Sequence, residues 1–375
     1  MVVIGLPLIC HLGYTRKWNT LLNWKVLAAL LVFALTITPM LYAYYHQFDL
    51  HPEKIIRGRG DRSGIFFIFW EQSFERMSGE GIGTNSSDYF FFFHTFLWVF
   101  LPWTVLGIMA YGKRIKGFIN ERLLYNPKKE LLALGGITLI FIIISFAQFK
   151  LPHYLNIVIP LFAVLTASYL NQLFLDQKKN AIKVLLGIQY FILAIVFIAS
   201  ALLCFYVFEF QKPFAYVILL VAAAIIINYS LKREGYYYRI ITITVCSSLL
   251  LNAVLNLHFY PHLLTYQGGS SMAERIEENA ISVENIYKIS EKYTWALDFY
   301  NREPVKISSI EEIGKRKDIW VYADDEDLQK LHAAGFDWDK QISEDQFRIT
   351  RLQRTFLDPS TRKKVLNKMH LVHIY

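Results

Sequence analysis

The stretch Ile137–Leu170, ITLIFIIISFAQFKLPHYLNIVIPLFAVLTASYL, consists of two apolar runs separated by a short polar break. Each run is about long enough to cross a bilayer as a helix. Pro152 disfavours helix at the residue before it and suits the first turn of a new helix. The pattern therefore predicts two membrane helices, one ending near Phe149 and the next beginning near Pro152, joined at one membrane surface.

The polar break brings Lys150, His153 and Tyr154 within about one helical turn, at spacings that share a face. A helix start offers free backbone N–H groups and the positive end of the helix dipole. A lysine, a histidine and a phenol at such a start can bind a phosphate at the membrane surface. In the alternative interpretation, a snorkelling lysine and interfacial aromatic residues only anchor the two helices. The residues alone leave both interpretations open.

The composition is typical of a membrane protein. Of the 375 residues, 54% are hydrophobic and 19% are charged, which excludes an ordinary soluble domain when apolar runs reach membrane-spanning length. Much of the net charge of +8 lies in short loops between apolar runs, where it indicates topology and does not indicate a nucleic-acid partner. The three cysteines lie in apolar segments without metal-ligand or disulfide spacing, so no metal site is predicted from them.

The apolar runs predict a polytopic α-helical membrane region over residues 1–257, with about seven complete spans after a partial first one. The complete spans are predicted at Trp24–Tyr45, Tyr89–Tyr111, Leu131–Phe149, Pro152–Leu173, Ala181–Phe208, Phe214–Leu231 and Ile240–Leu257. Basic loops at 16–25, 112–129, 176–183 and 232–239 alternate with the remaining loops. The positive-inside rule assigns these basic loops to the cytoplasm. The loop 47–87, the Lys150 break and the C-terminal region are therefore predicted to lie outside.

Residues 258–375 are polar and alternate between strand-like and helix-like segments, which predicts a small extracytoplasmic α/β domain. Strands are predicted at Ser282–Ile289, Val305–Ser309, Asp318–Ala323, Gln346–Leu352 and His370–Tyr375, and helices at Lys292–Arg302, Ile310–Lys317 and Glu326–Ala334. The acidic run Asp324–Asp327 resembles a metal site, but the turn from a strand into a helix is the favoured interpretation.

The external loop 47–87 is rich in charge for a short connection. Its segment Phe66–Arg76 is typical of an interfacial amphipathic helix, with aromatic residues on the lipid side. Arg59 and Arg76 can bind a phosphate through paired hydrogen bonds. Arginine–glutamate pairs on a solvated surface are the alternative, and this alternative is favoured for Arg57, Arg59 and Arg62.

The order of several motifs resembles a known class of membrane enzymes. The motifs are Trp70…Arg76, Tyr89–Phe93, Leu101-Pro102-Trp103, Ser145…Lys150-Leu151-Pro152-His153-Tyr154…Pro160 and Phe259-Tyr260-Pro261…Tyr266-Gln267. This series is similar to that of the GT-C polytopic glycosyltransferases that use polyprenyl-phosphate sugars, the protein O-mannosyltransferase-like and lipid A aminoarabinose transferase-like enzymes. The resemblance covers roughly residues 6–267 and lies in the ordered series more than in any single motif.

The resemblance implies an external active site that transfers a sugar from a polyprenyl-phosphate carrier to a lipid or protein acceptor. It implies a multi-pass protein of the bacterial inner membrane with a periplasmic C-terminus and membrane lipids around it. It also implies that Arg76, Lys150 and Tyr154 contact the carrier phosphate, and His153 lies beside them in the sequence.

The chain departs from the family where an acidic residue and a histidine or asparagine usually precede the arginine. Here those positions hold Gln72 and Ser73, and Glu71 or Glu75 is the available substitute. These residues are therefore accessory candidates. The sequence predicts no cofactor and leaves a divalent metal open as an alternative.

The catalytic carboxylates of the family lie in its first external loop, and a general base should be one of them. No external acidic residue of this sequence has that motif context, so we expect a C-terminal portion that does not turn over on its own. A noncatalytic scaffold or subunit, or a pseudogene remnant, is the alternative. A transporter fits less well, because the centres of the spans are nearly free of charge.

Overall fold

The computed structural model describes residues 2–54, 60–79, 88–122, 124, 131–210, 214–232, 235–290, 292–350 and 352–375. This part of the chain is mostly helical, with a small mixed sheet towards the C-terminus. It forms two compact units, Met1–Tyr190 with Arg233–Thr244, and Phe191–Lys232 with Val245–Tyr375. The predicted combination of membrane-type helices and a small C-terminal α/β region is confirmed.

The apolar runs fold as helices. In chain order they are α1 (Val2–Thr15), α2 (Trp24–Asp49), α3 (residues 64–78), α4 (Phe91–Val99), α5 (Thr104–Asn120), α6 (Leu132–Phe146), α7 (Ile159–Leu175), α8 (Lys179–Val207), α9 (Phe214–Lys232) and α10 (Tyr236–Leu264). Among the described residues, α2, α8 and α10 are long and apolar enough to cross a membrane. Helices α6 and α7 are apolar but shorter. The number of spans and the domain boundary at residue 258 stay predictions.

Helix α3 has clear signals at both ends. The Ser63 side chain accepts a hydrogen bond from the Phe66 N–H at its start, and Gly79 ends it in the left-handed conformation, with φ of 78°, which glycine adopts without steric cost. The predicted segment Phe66–Arg76 is therefore helical, with a π-helical turn at Phe67–Glu71, while its position at the membrane interface stays a prediction.

The second predicted span, Tyr89–Tyr111, is interrupted in the structure. Helix α4 ends at Val99 and α5 begins at Thr104. Pro102 lies between them, after a cis peptide bond, and it cannot donate the backbone hydrogen bond that a continuous helix requires. The prediction of one unbroken helix is therefore wrong, and the second half extends to Asn120.

The polar break of the central pair is longer than predicted. Helix α6 ends at Phe146, before the expected Phe149, and α7 begins at Ile159. Pro152 does begin a helix, but it is the 3₁₀ segment Pro152–Ile157. Buried aromatic and aliphatic side chains from α4, α5, α6, the 3₁₀ segment and α7 form one core around this break, which includes Phe92, Phe96, Ala110, Ile140, Leu155 and Phe162.

The C-terminal region contains the strands β1 (Ile286–Lys288), β2 (Lys306–Ile307), β3 (Ile319–Asp324), β4 (Lys340–Gln346) and β5 (Asn367–Ile374). Its helices are α11 (Gly268–Glu278), α12 (Trp295–Tyr300), α13 (Ile310–Ile313), α14 (Asp325–Ala333), α15 (Arg354–Leu357) and α16 (Pro359–Arg362). The strand order is β2-β1-β3-β5-β4. Strands β1, β2 and β3 pair in parallel, and β5 pairs antiparallel with β3 and β4.

Two predictions for this region have opposite outcomes. A strand over Gln346–Leu352 is wrong, because β4 covers Lys340–Gln346 instead. Strand β4 lies at the sheet edge, where mostly polar residues are tolerated and the apolar signal is weak. The interpretation of the acidic run as a strand-to-helix turn is confirmed: the Asp324 side chain accepts the Asp327 N–H at 2.8 Å and caps α14. No group of three metal-ligating side chains occurs among the described residues.

Candidate functional site

Backbone hydrogen bonds attach the polar break to the end of α3. The Phe149 N–H donates to the Arg76 carbonyl at 3.0 Å, and the Gln148 N–H donates to the Met77 carbonyl at 3.2 Å. Lys150 is the next residue of the chain. These bonds therefore bring Arg76 and Lys150 close together, although the two residues are more than seventy positions apart in the sequence.

Lys150 is buried, with only 2% of its surface exposed. Its Nζ atom lies 5.6 Å from the centroid of the Tyr89 ring, within the range of a cation–π contact. Burial of a cation is costly unless other groups compensate its charge. The side chain does not extend into water, as a lysine that only snorkels would do.

Arg76 and Tyr154 form the other half of the site. The Arg76 Cζ atom lies 5.6 Å from the centroid of the Tyr154 ring. Arg76 Nε and the Tyr154 hydroxyl are buried, and neither has a hydrogen-bond partner among the described residues. Buried polar atoms normally have partners, so these two can serve an incoming acceptor such as a phosphate oxygen. His153 is exposed beside Tyr154, with ring centroids 5.0 Å apart.

The accessory candidates do not join Arg76. Arg62 Nε lies 3.0 Å from Glu71 Oε2, and the Arg62 guanidinium also binds the Glu75 carboxylate through Nη2. The pairing expected for Arg62 is present, but not on a solvated surface, since its side chain is only 10% exposed and that of Glu75 only 8%. Ser73 is exposed, and Arg59 lies outside the described residues.

An apolar cavity of about 920 Å³ lies between α4, α5, α6 and α7. Tyr89, whose ring contacts Lys150, lines this cavity, and so does Ser145, whose buried hydroxyl has no hydrogen-bond partner among the described residues. The volume is at the upper end of the range for small-molecule sites. Most of the wall is aromatic or aliphatic, including Phe90, Phe93, Leu97, Ile142 and Phe146.

Sequence reasoning missed a hydrogen-bonded pair, Asp88 and His94, beside the same cavity. The Asp88 carboxylate accepts a hydrogen bond from the Phe90 N–H at 2.7 Å and lies 2.7 Å from His94 Nε2. The hydrogen bond with His94, followed by that from Phe90, lowers the pKa of Asp88, and the charge of Lys150 lowers it further. Since Asp88 and His94 lie on opposite sides of a helix start, no periodic pattern links them in the sequence.

The chain is similar in fold to ArnT. The crystal structure of ArnT from Cupriavidus metallidurans bound to undecaprenyl phosphate matches with a TM-score of 0.62 and 16% sequence identity, over 98% of this chain and 64% of that chain. ArnT from the same organism in the apo state matches with a TM-score of 0.60 and 16% identity, over 99% of this chain and 64% of that chain. This chain therefore spans 64% of the length of those structures.

No protein-family model matches the sequence, and no curated protein matches it. The similarity is thus one of fold. Because ArnT is a lipid A aminoarabinose transferase, it confirms the fold that the order of the motifs predicts.

Proposed function

We propose that this chain forms the carrier-binding part of a membrane glycosyltransferase. The enzyme transfers a sugar from a polyprenyl-phosphate carrier to a lipid or protein acceptor on the external face. The supporting observation is the position of Arg76, Lys150 and Tyr154, here called the cation cluster. Lys150 contacts the ring of Tyr89, and Tyr89 lines the large apolar cavity.

A polyprenyl phosphate has a small, dense anion at one end of a long apolar chain, and the site offers both kinds of surface. Lys150 supplies a point charge, Arg76 supplies a guanidinium that can bind two oxygens, and Tyr154 supplies a hydroxyl donor. The apolar cavity takes the part of the prenyl chain next to the phosphate. The fold similarity to ArnT bound to undecaprenyl phosphate supports this assignment.

We propose that the chain binds the carrier without transferring its sugar. Transfer needs a general base near the acceptor, and the accessory candidates Glu71 and Glu75 are both engaged by Arg62. Removing either carboxylate from this pairing would leave Arg62 buried with less compensation. The hydrogen bond with His94 lowers the pKa of Asp88, which makes this third carboxylate a weak base. We therefore propose that the carboxylate that activates the acceptor comes from outside this chain.

The proposed topology has seven complete spans, with the cation cluster and the C-terminal α/β region on the extracytoplasmic side of the bacterial inner membrane. The alternation of the basic loops supports this orientation.

The length of the prenyl chain tests the role of the cavity. Undecaprenyl phosphate should bind the purified chain more tightly than geranyl phosphate, because it buries more apolar surface. Ile142→Trp, which fills part of the cavity, should remove this preference. Val164→Trp is the matched control, since Val164 is equally apolar and 61% exposed but lies outside the cavity lining. Equal effects of both substitutions, or no preference in the native chain, would argue against the cavity as the prenyl site.

A further inference from the structure

A second pocket, with a different character, lies between α5 and α7. Its volume is about 150 Å³. Lys113 and Arg114 of α5 line it from one side, and Ser168, Tyr169 and Gln172 of α7 line it from the other. Every one of these side chains can donate a hydrogen bond, and two of them are cations. The pocket therefore suits an anion.

This pocket is remote from the cation cluster. Fifteen residues of largely helical chain separate Tyr154 from Tyr169, and at a rise of about 1.5 Å per residue this corresponds to a distance of roughly 20 Å along the helix axis. The pocket lies in the C-terminal halves of α5 and α7. The basic stretch 112–129 begins within this half of α5, and the loop 176–183 follows α7. The pocket is thus near the opposite membrane surface.

Lys113 is the central cation of this pocket. Its Nζ atom lies 5.1 Å from the centroid of the Tyr169 ring, and among the described residues no carboxylate forms an ion pair with it. Lys113, Ser168 and Gln172 are exposed and Tyr169 is partly buried, so the pocket is open to an incoming group. The aromatic ring holds the ammonium group at the edge of the apolar helices.

We propose that this pocket binds the phosphate headgroup of an anionic phospholipid, in the leaflet opposite the cation cluster. Its volume corresponds to roughly five water molecules, enough for a phosphate and its nearest atoms. Basic pockets between membrane helices at the cytoplasmic surface suit anionic headgroups. Leu165 and Ala110 add apolar lining at the same place, where the first atoms of the lipid tails can pack. The site is independent of the carrier site and of sugar transfer.

The test is phospholipid binding to the full purified chain by native mass spectrometry, with phosphatidylglycerol and phosphatidylcholine as probes. The native chain should retain phosphatidylglycerol preferentially. Lys113→Ala should weaken that binding about tenfold or more, because a charge-assisted hydrogen bond is lost. Tyr169→Leu, which removes both the ring and the hydroxyl, should weaken it as well.

Lys116→Ala is the matched control, since Lys116 is exposed on the same helix but does not line the pocket. It should leave phosphatidylglycerol binding unchanged. Equal losses in Lys113→Ala and Lys116→Ala would reduce the effect to general surface charge and overturn the proposal. Displacement of phosphatidylglycerol by millimolar inorganic phosphate would identify free phosphate as the ligand and also contradict it.

Discussion

Arg62 provides the sharpest test of how helix α3 is held in place. Its guanidinium binds Glu71 and Glu75, and all three side chains are at least three-quarters buried. In Arg62→Met the side chain keeps a similar length but loses its charge, so both carboxylates lose a cation. Removing one partner of a buried ion pair costs about 3–5 kcal/mol. Arg76 lies on the same helix as Glu75. Loss of the Arg62 ion pairs should therefore also disturb the cation cluster.

Hydrogen–deuterium exchange of the full chain measures this effect directly. A local loss of about 3 kcal/mol raises the opening equilibrium roughly 100-fold, and amide exchange across residues 64–78 should accelerate by about that factor. The triple variant Arg62→Met, Glu71→Gln, Glu75→Gln removes both carboxylates together with the cation, so no buried charge is left without a partner. Its amides across residues 64–78 should therefore exchange much more slowly than those of Arg62→Met alone.

Arg275 is a matched control within the same chain. It also pairs with two glutamates, Glu278 and Glu344, but its side chain is 51% exposed. Ion pairs that are exposed to solvent contribute little to stability, so Arg275→Met should accelerate amide exchange of α11 far less than Arg62→Met accelerates that of α3. Unchanged exchange of residues 64–78 in Arg62→Met, or equal effects at both arginines, would refute the argument that burial makes the Arg62 pairs important.

Three further predictions concern topology, activity and pH. An alkaline phosphatase fused to Tyr375 should be active and a green fluorescent protein fused there should be dark, because the basic loops assign the C-terminus to the outside; the reverse would overturn that orientation. The purified chain should transfer no sugar from a polyprenyl-phosphate donor, and protein-dependent transfer would contradict the proposed need for an external carboxylate. Hydrogen bonds with Asp339 and then with Asp318 raise the pKa of His373 in the folded chain. Protonated His373 therefore stabilises the fold at a pH below the unfolded-state pKa of the residue. This stabilisation is lost as the pH rises through the folded-state pKa. The difference in Tm between the native chain and His373→Gln should therefore shrink between about pH 6 and about pH 9, and a difference independent of pH would exclude this role.

Local sequence signals predicted much of the helical fold. The apolar runs at Trp24–Tyr45 and Phe214–Leu231 differ from the observed helices by only a few residues at their ends. The strand Asp318–Ala323 and the acidic helix cap after it were also predicted, because apolar alternation and capping are local properties.

The failures follow from interactions that are not local. Strand β4 is polar because it lies at the sheet edge, and its place depends on pairing with β5. The apolar run continues across Pro102, so hydropathy alone predicts one helix there. The proline itself is the local signal for the interruption.

The candidate site was predicted in part. The spacing within the break already brought Lys150 and Tyr154 together, and the family resemblance added Arg76. The contact of Lys150 with Tyr89 joins residues more than sixty positions apart, and the Arg62 pairs span nine and thirteen positions across a helix start. Such contacts depend on tertiary packing, which no spacing rule in the sequence describes.

The most direct test of the central claim is the affinity of the purified chain for undecaprenyl phosphate in the Lys150→Ala and Arg76→Ala variants. A charge-assisted hydrogen bond contributes roughly 1.5–3 kcal/mol, so each variant should bind about ten- to a hundredfold more weakly. Lys150→Arg should recover only part of the loss, since a planar fork does not replace a point charge. Lys54→Ala is the control. Lys54 lies in the same predicted external loop as Arg76, and its Nζ donates to the Gln47 carbonyl, so the variant should bind undecaprenyl phosphate as the native chain does. Unchanged affinity in both Lys150→Ala and Arg76→Ala would contradict the assignment of the cation cluster to the carrier phosphate.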